Sequence, residues 1–151
     1  MAFNYQIKHF SELTALEFHD LIALRINVFV VEQNCPYPEL DGKDKKSYHL
    51  ICRDGLGKIV ATSRILPQNI SYKEVSIGRV VSASEVRGIG LGHEMMKNCF
   101  EFIQEEFGDV PVKISAQEHL EQFYQQHGFI STGKKYLEDD IPHVEMIFNE
   151  K

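Results

Sequence analysis

Tryptophan is absent from the 151 residues, and cysteine (three) and proline (five) are scarce. Cys35, Cys52 and Cys99 are odd in number and far apart, with no CxxC pair and no Cys/His spacing of the zinc kind. No metal site is expected, and the chain reads as a protein of a reducing cytoplasm. Long apolar runs are missing too. Val28-Phe29-Val30-Val31 is as long as any, against the roughly 20 residues that a bilayer-spanning helix needs. The start, Met1-Ala2-Phe3-Asn4-Tyr5, has no basic cluster followed by an apolar stretch, so no signal peptide is expected. Positive charge is outnumbered, 16 Lys plus Arg against 22 Asp plus Glu, and the formal −6 argues against a nucleic-acid binder. Neither a membrane nor a nucleic acid is therefore an expected partner. What remains is 43% hydrophobic and 25% charged, an ordinary globular composition without repeats, low-complexity tracts or Pro/Gly/Ser linkers. Residues 1–151 read as one domain.

Tyr5, Ile7 and His9 alternate as in a short first strand. Ser11 is the expected N-cap of the helix that follows, in which Leu13, Leu16, Phe18, Leu21, Leu24, Val28 and Phe29 recur at roughly helical spacing to Val31. Pro36 and Pro38 break it, and residues 32–46 read as an ordered, partly acidic loop. Residues 48–52 and 58–66 form two strands joined through Asp54-Gly55-Leu56-Gly57, and a third strand runs over 74–81. A long helix to Phe107, a strand over 110–115, a helix over 117–127 and strands over 129–137 and 143–148 complete the pattern. The order β-α-β-β-β-α-β-α-β-β predicts an α/β fold, a mixed sheet with helices on both faces.

The chemistry is concentrated in Arg87-Gly88-Ile89-Gly90-Leu91-Gly92-His93, where a strand runs through a glycine-rich turn directly into a helix. Glycines let the backbone approach a ligand closely, and a helix start offers unpaired N–H groups at a positive dipole end. Such a cradle suits a diphosphate, and Arg87 adds a planar fork of donors. Two other phosphate motifs fail. A P-loop needs GxxxxGK[ST], but His93 follows Gly92; a dinucleotide fingerprint needs GxGxxG, but His93 takes the third glycine position.

At this point the sequence resembles the GNAT superfamily of N-acetyltransferases. Arg87, Gly90 and Gly92 match its RxxGxG signature, and the segment from Gln117 to Phe129 ends in the FYxxxGF pattern of a second one. The remainder resembles the ElaA-like subfamily: Leu24-Arg25, Val28 to Gln33, Cys35-Pro36-Tyr37, Glu39-Leu40-Asp41, Ile77 to Val81 and Glu138 to His143. The resemblance covers nearly the whole chain. It departs at Ser82, where an aliphatic residue is usual, and at Ser84, where proline is frequent.

The resemblance implies the acyl-CoA N-acyltransferase fold and transfer of an acetyl group from acetyl-CoA, the co-substrate, to a small-molecule or peptide amine. The backbone of Val80, Val81 and Ser82 would meet the pantetheine arm, with Arg87, Gly88, Ile89, Gly90, Leu91, Gly92 and His93 around the diphosphate. Tyr124 matches the family's general acid, which protonates the leaving sulfur. Glu32, Gln33, Arg64, Arg79 and His143 are implied for the acceptor pocket. For the general base His119, His143, Glu74 and Glu138 all stay open. Arg79, in an apolar strand, needs a carboxylate, either Glu32 or Asp41 of the protein or one of the substrate. Exposed sheet edges in this superfamily often pair into homodimers. The rival reading is a module of the same fold that binds acyl-CoA without turnover.

Overall fold

The computed structural model describes residues 2–149. Over that span the order is β1 (Asn4–His9), α1 (Ala15–Ile26), β2 (Tyr48–Arg53), β3 (Ile59–Leu66), β4 (Ser76–Ser82), α2 (Leu91–Phe107), β5 (Val112–Gln117), α3 (Glu121–Gln125), β6 (Ile130–Glu138) and β7 (Ile141–Phe148). The element order matches the sequence pattern. The cap of α1 does not: Thr14, not Ser11, accepts from the Glu17 amide at 3.0 Å, while Glu17 accepts from the Thr14 amide at 3.0 Å. That reciprocal box satisfies two orphan donors, whereas Ser11 lies in a preceding 3-10 turn capped by His9. The helix predicted over 117–127 is also shorter, a 3-10 turn (Glu118–Leu120) followed by α3.

The mixed sheet resolves into two antiparallel ones, β1-β2-β3-β4 and β5-β7-β6. They touch through one parallel bridge, Val75 with Val112, where the Lys113 amide donates to the Val75 carbonyl at 2.9 Å. Beyond the bridge β4 and β5 share no ladder, which opens a cleft between their carboxyl ends. Helices cover both faces of the first sheet, as the pattern implies. Leu21 of α1 packs on Ile51 and Ile59, while Met95, Met96, Cys99 and Ile103 of α2 join Leu50, Cys52 and Ala61 in the main core. Successive β2 residues point to opposite faces, so cover on both sides buries Leu50, Ile51 and Cys52 alike.

Candidate active site

Two irregularities shape the cleft. In β4, Thr62 faces Val81 and Arg64 faces Gly78, so Arg79 and Val80 together oppose Ser63 alone. This β-bulge puts Arg79 at φ +50°, a left-handed conformation that costs a non-glycine residue roughly 1 kcal/mol. It also takes a residue of β4 out of the ladder beside the cleft. At the end of α1 the helix widens into a π segment (Asn27–Glu32), with the Gln33 and Cys35 amides donating to the Val28 and Val30 carbonyls. The extra residue per turn turns Val28, Phe29, Glu32 and Gln33 to the cleft wall.

The bulge is held by a closed ring of six charges. Arg79 Nε donates to Glu39 Oε2 at 2.9 Å, and Arg25 Nε donates to the same oxygen at 2.5 Å. Arg25 continues to both oxygens of Asp44 at 2.8 and 3.3 Å. Arg64 Nη1 reaches Asp44 at 3.2 Å, and Arg64 grips Asp41 with two bonds of 2.9 Å. Asp41 closes the ring on Arg79 Nη2 at 3.5 Å. Arg25, Glu39, Asp44 and Arg64 are buried, and alternation of sign lets the ring exist there. Burial alone would raise the carboxyl of Asp41, but the Arg64 hydrogen bonds and the Lys43 amide leave it well below the usual range. Asp44 is held low in the same way, against its burial, by Arg25 and Arg64. Tyr37 donates to Glu39 Oε1 at 2.5 Å, and burial with that carboxylate pushes its phenol above the ordinary value.

The cleft, about 770 Å³, is bounded by the bulged strand on one side and by Ser115, Gln117, Tyr124 and the tip of the β6–β7 hairpin on the other. The loop after α1 reaches that tip, where Cys35 Sγ donates to the Asp139 carbonyl at 3.3 Å. Tyr124 is buried, and its hydroxyl has no hydrogen-bond partner among the described residues. Burial, with Cys99 nearby, holds its phenol above the ordinary value, so the hydroxyl keeps its proton at neutral pH.

The glycine turn lies beside one end of the cleft. Gly88 and Gly90 have φ +81° and +85° with open space around them, so backbone conformation alone favours glycine there. Gly92 is favoured by proximity, since a Cβ would come within 3.2 Å of the Phe123 ring, which would have to give by a few tenths of an ångström. Helix α2 has no side-chain cap, and its first amide with a backbone partner is that of Glu94, to the Gly90 carbonyl at 3.2 Å. The amides of Leu91, Gly92 and His93 are left to a ligand or solvent. These features fit a diphosphate.

The predicted residues divide accordingly. Val80, Val81, Ser82, Arg87, Tyr124, Glu32, Gln33, Arg64, Arg79 and His143 all line the cleft, whereas residues 88–93 do not. Ile89 projects outward, Leu91 is buried in the core, and His93 packs at a tilt against Phe123 with its Nδ1 2.8 Å from His127 Nε2. Arg87 is committed to Glu32, at 2.5 and 3.1 Å, and to the Ser82 carbonyl at 2.9 and 3.1 Å. Glu32 is thus not the partner of Arg79; Asp41 is, together with Glu39, which sequence reasoning passed over. The alternation Glu39-Leu40-Asp41 was its available signal. Gln33 meets Gln117 across the cleft at 3.4 Å. Among the candidate bases, Glu74 is outside the lining and faces Lys113 at 3.7 Å, while His119, Glu138 and His143 line the cleft. Ser115, whose hydroxyl donates to Glu138 and accepts from Tyr136, carries no sequence signal of its own. Among the described residues no cluster of side chains could hold a metal ion, and no helix is long and apolar enough to cross a membrane.

Comparison with known proteins agrees with this geometry. A family model described as an acetyltransferase (GNAT) domain matches residues 23–149. An acyl-CoA N-acyltransferase of Pseudomonas aeruginosa superimposes with a TM-score of 0.92 at 42% identity, over 97% of this chain and 99% of that one. ElaA of Escherichia coli superimposes with a TM-score of 0.91 at 37% identity, over 98% and 100%. A UPF0039 protein of Schizosaccharomyces pombe is 42% identical over 144 residues, 95% of each chain. With that match spanning most of its length, the protein belongs to the GNAT family of acetyltransferases, among its ElaA-like members, and is an acyltransferase.

Proposed function

We propose that the protein transfers an acetyl group from acetyl-CoA to the nitrogen of a small-molecule or peptide amine by direct attack. The observation that carries this reading is the cleft between β4 and β5, with a strand bulge on one wall and the unpartnered Tyr124 hydroxyl on the other. The amides of 91–93 would hold the diphosphate of acetyl-CoA, and backbone N–H groups around Val80 would face its acyl end. Bound there, acetyl-CoA supplies an activated acyl carbon and a thiol leaving group.

Tyr124 donates its proton to the departing sulfur. A thiol of pKa about 8.5 leaves more readily when protonated, and a buried phenol is still a donor at neutral pH. The ring of charges keeps Arg79 neutralised and the bulge fixed, so the acyl-binding wall does not reorganise during the reaction. Cys35, Cys52 and Cys99 are free thiols, which fits a reducing cytoplasm.

Release of CoA thiol from acetyl-CoA, followed against a panel of amines, tests the reading. Acetylation of at least one amine is expected. Binding of acetyl-CoA with no thiol release across the panel would favour a sensor of the same fold.

A further inference from the structure

We infer that His143 is the base that takes the proton of the attacking amine and that Glu138 positions it. This assignment rests on the transferase reading above. His143 lies on β7, opposite Gln117 of β5 and Tyr136 of β6, and lines the same cleft as Tyr124 and the bulge. Its Nδ1 is 2.7 Å from the Ile141 carbonyl. A carbonyl only accepts, so Nδ1 carries the hydrogen, and Nε2 of the neutral ring keeps its lone pair. Nε2 forms no hydrogen bond among the described residues; Glu138 Oε2 stands off at 3.6 Å. That distance leaves Nε2 free to accept a proton and places a carboxylate beside the imidazolium that results.

Glu138 is itself held. Tyr136 donates to Ser115 Oγ at 2.6 Å, and Ser115 donates to Glu138 Oε1 at 3.2 Å. The Tyr136 ring stacks on His143 at an interplanar angle of 17°. Strand β6 therefore fixes both the carboxylate and the imidazole face. The other cleft-lining candidate, His119, has no hydrogen bond among the described residues to set its tautomer. Glu138 and Tyr136 of β6 meet the His143 ring directly, and Asp139 of the hairpin turn, Tyr72 before β4, His119 after β5 and Tyr124 are titratable groups lining the same cleft.

In the transfer, Nε2 takes one proton from the amine nitrogen as that nitrogen's electron pair forms the C–N bond. The C–S bond breaks, its electrons go to sulfur, and sulfur takes the proton of Tyr124. His143 then loses its proton to solvent on the side of the half-exposed Glu138, and water reprotonates Tyr124. Amine and thioester are converted to amide and thiol, and the protein returns to its starting state.

The test is the pH profile of kcat/KM for thiol release in wild type, His143→Gln, Glu138→Gln and Glu138→Asp, with acetyl-CoA affinity measured alongside. His143→Gln is expected to lower kcat/KM about 100-fold, to leave acetyl-CoA affinity within about twofold, and to abolish the acidic limb. Glu138→Gln removes the carboxylate that holds the imidazolium in place, so kcat/KM falls about tenfold with acetyl-CoA affinity kept; Glu138→Asp restores part of the rate. An acidic limb that survives in His143→Gln at near wild-type rate overturns the base assignment and leaves the transferase reading intact. A wild type that binds acetyl-CoA but acetylates no amine overturns both. Independently of turnover, long-range nitrogen-15 NMR should show the neutral His143 ring as the Nδ1–H tautomer, and an Nε2–H tautomer would overturn the proposal even if a variant misfolds.

Discussion

Arg79 and Glu39 tie the strand bulge to the loop after α1: the guanidinium donates its Nε hydrogen to Glu39 Oε2 at 2.9 Å. The same oxygen takes the buried Arg25. Glu39→Gln leaves two guanidinium groups on a neutral amide, one of them buried. Loss of a partner from a buried ion-pair network typically costs about 3 kcal/mol, a fall in Tm of about 6–12 °C for a chain of this size. Calorimetric melts check it, and a Tm within about 2 °C of wild type would show that the ring contributes little to stability.

Tyr124→Phe removes only a hydroxyl that has no hydrogen-bond partner among the described residues. Stability should change by less than about 0.5 kcal/mol and acetyl-CoA affinity by less than about twofold, while kcat falls about 100-fold. Unchanged kcat at saturating substrates would remove Tyr124 from the chemistry.

Gly90→Ala places a Cβ in open space at φ +85°, so its cost is conformational, about 1–2 kcal/mol. Relaxation of that strain re-aims the amides at the start of α2, and the Kd for acetyl-CoA should rise about tenfold with kcat little changed. Equal affinity in wild type and Gly90→Ala, measured by titration calorimetry, would separate the turn from diphosphate binding.

Acid sensitivity should trace in part to Glu17. The Thr14 amide, reinforced by Lys8 and Arg53 against the effect of burial, lowers its carboxyl from 4.5 to about 2. A folded-state value below the unfolded one adds stability at higher pH, lost as pH falls from 4.5 towards about 2. After allowance for solvent screening the contribution is about 1 kcal/mol. Urea unfolding of Glu17→Gln against wild type should show a smaller loss across that window; parallel curves would contradict it.

The periodic elements were legible because burial on one or two faces writes itself into hydrophobic spacing, as in Leu50-Ile51-Cys52 and along α2 from Leu91 to Ile103. Placement could also be read where backbone conformation favours one residue type, as at Gly90 with its φ of +85°, or where a motif fixes position, as at Tyr124 in the cleft lining. Other features depend on who the neighbour is. Ser11 and Thr14 are equal as cap residues, and only the reciprocal bond from Glu17 separates them. The bulge at Arg79 and the π segment at Asn27–Glu32 carry no periodicity signature, because both interrupt a period. The partner of Arg79 was narrowed to a carboxylate by desolvation cost, but Glu39 and Asp41 reach it through a loop whose path no spacing encodes.

Titration of acetyl-CoA into the folded protein, followed by calorimetry and by amide chemical shifts, is the decisive measurement. Saturable binding at one site is expected, with the largest shifts at residues 88–93 and around Val80. Absence of heat from protein verified as folded, or a footprint confined to other residues, would contradict acetyl-CoA binding in the cleft between β4 and β5.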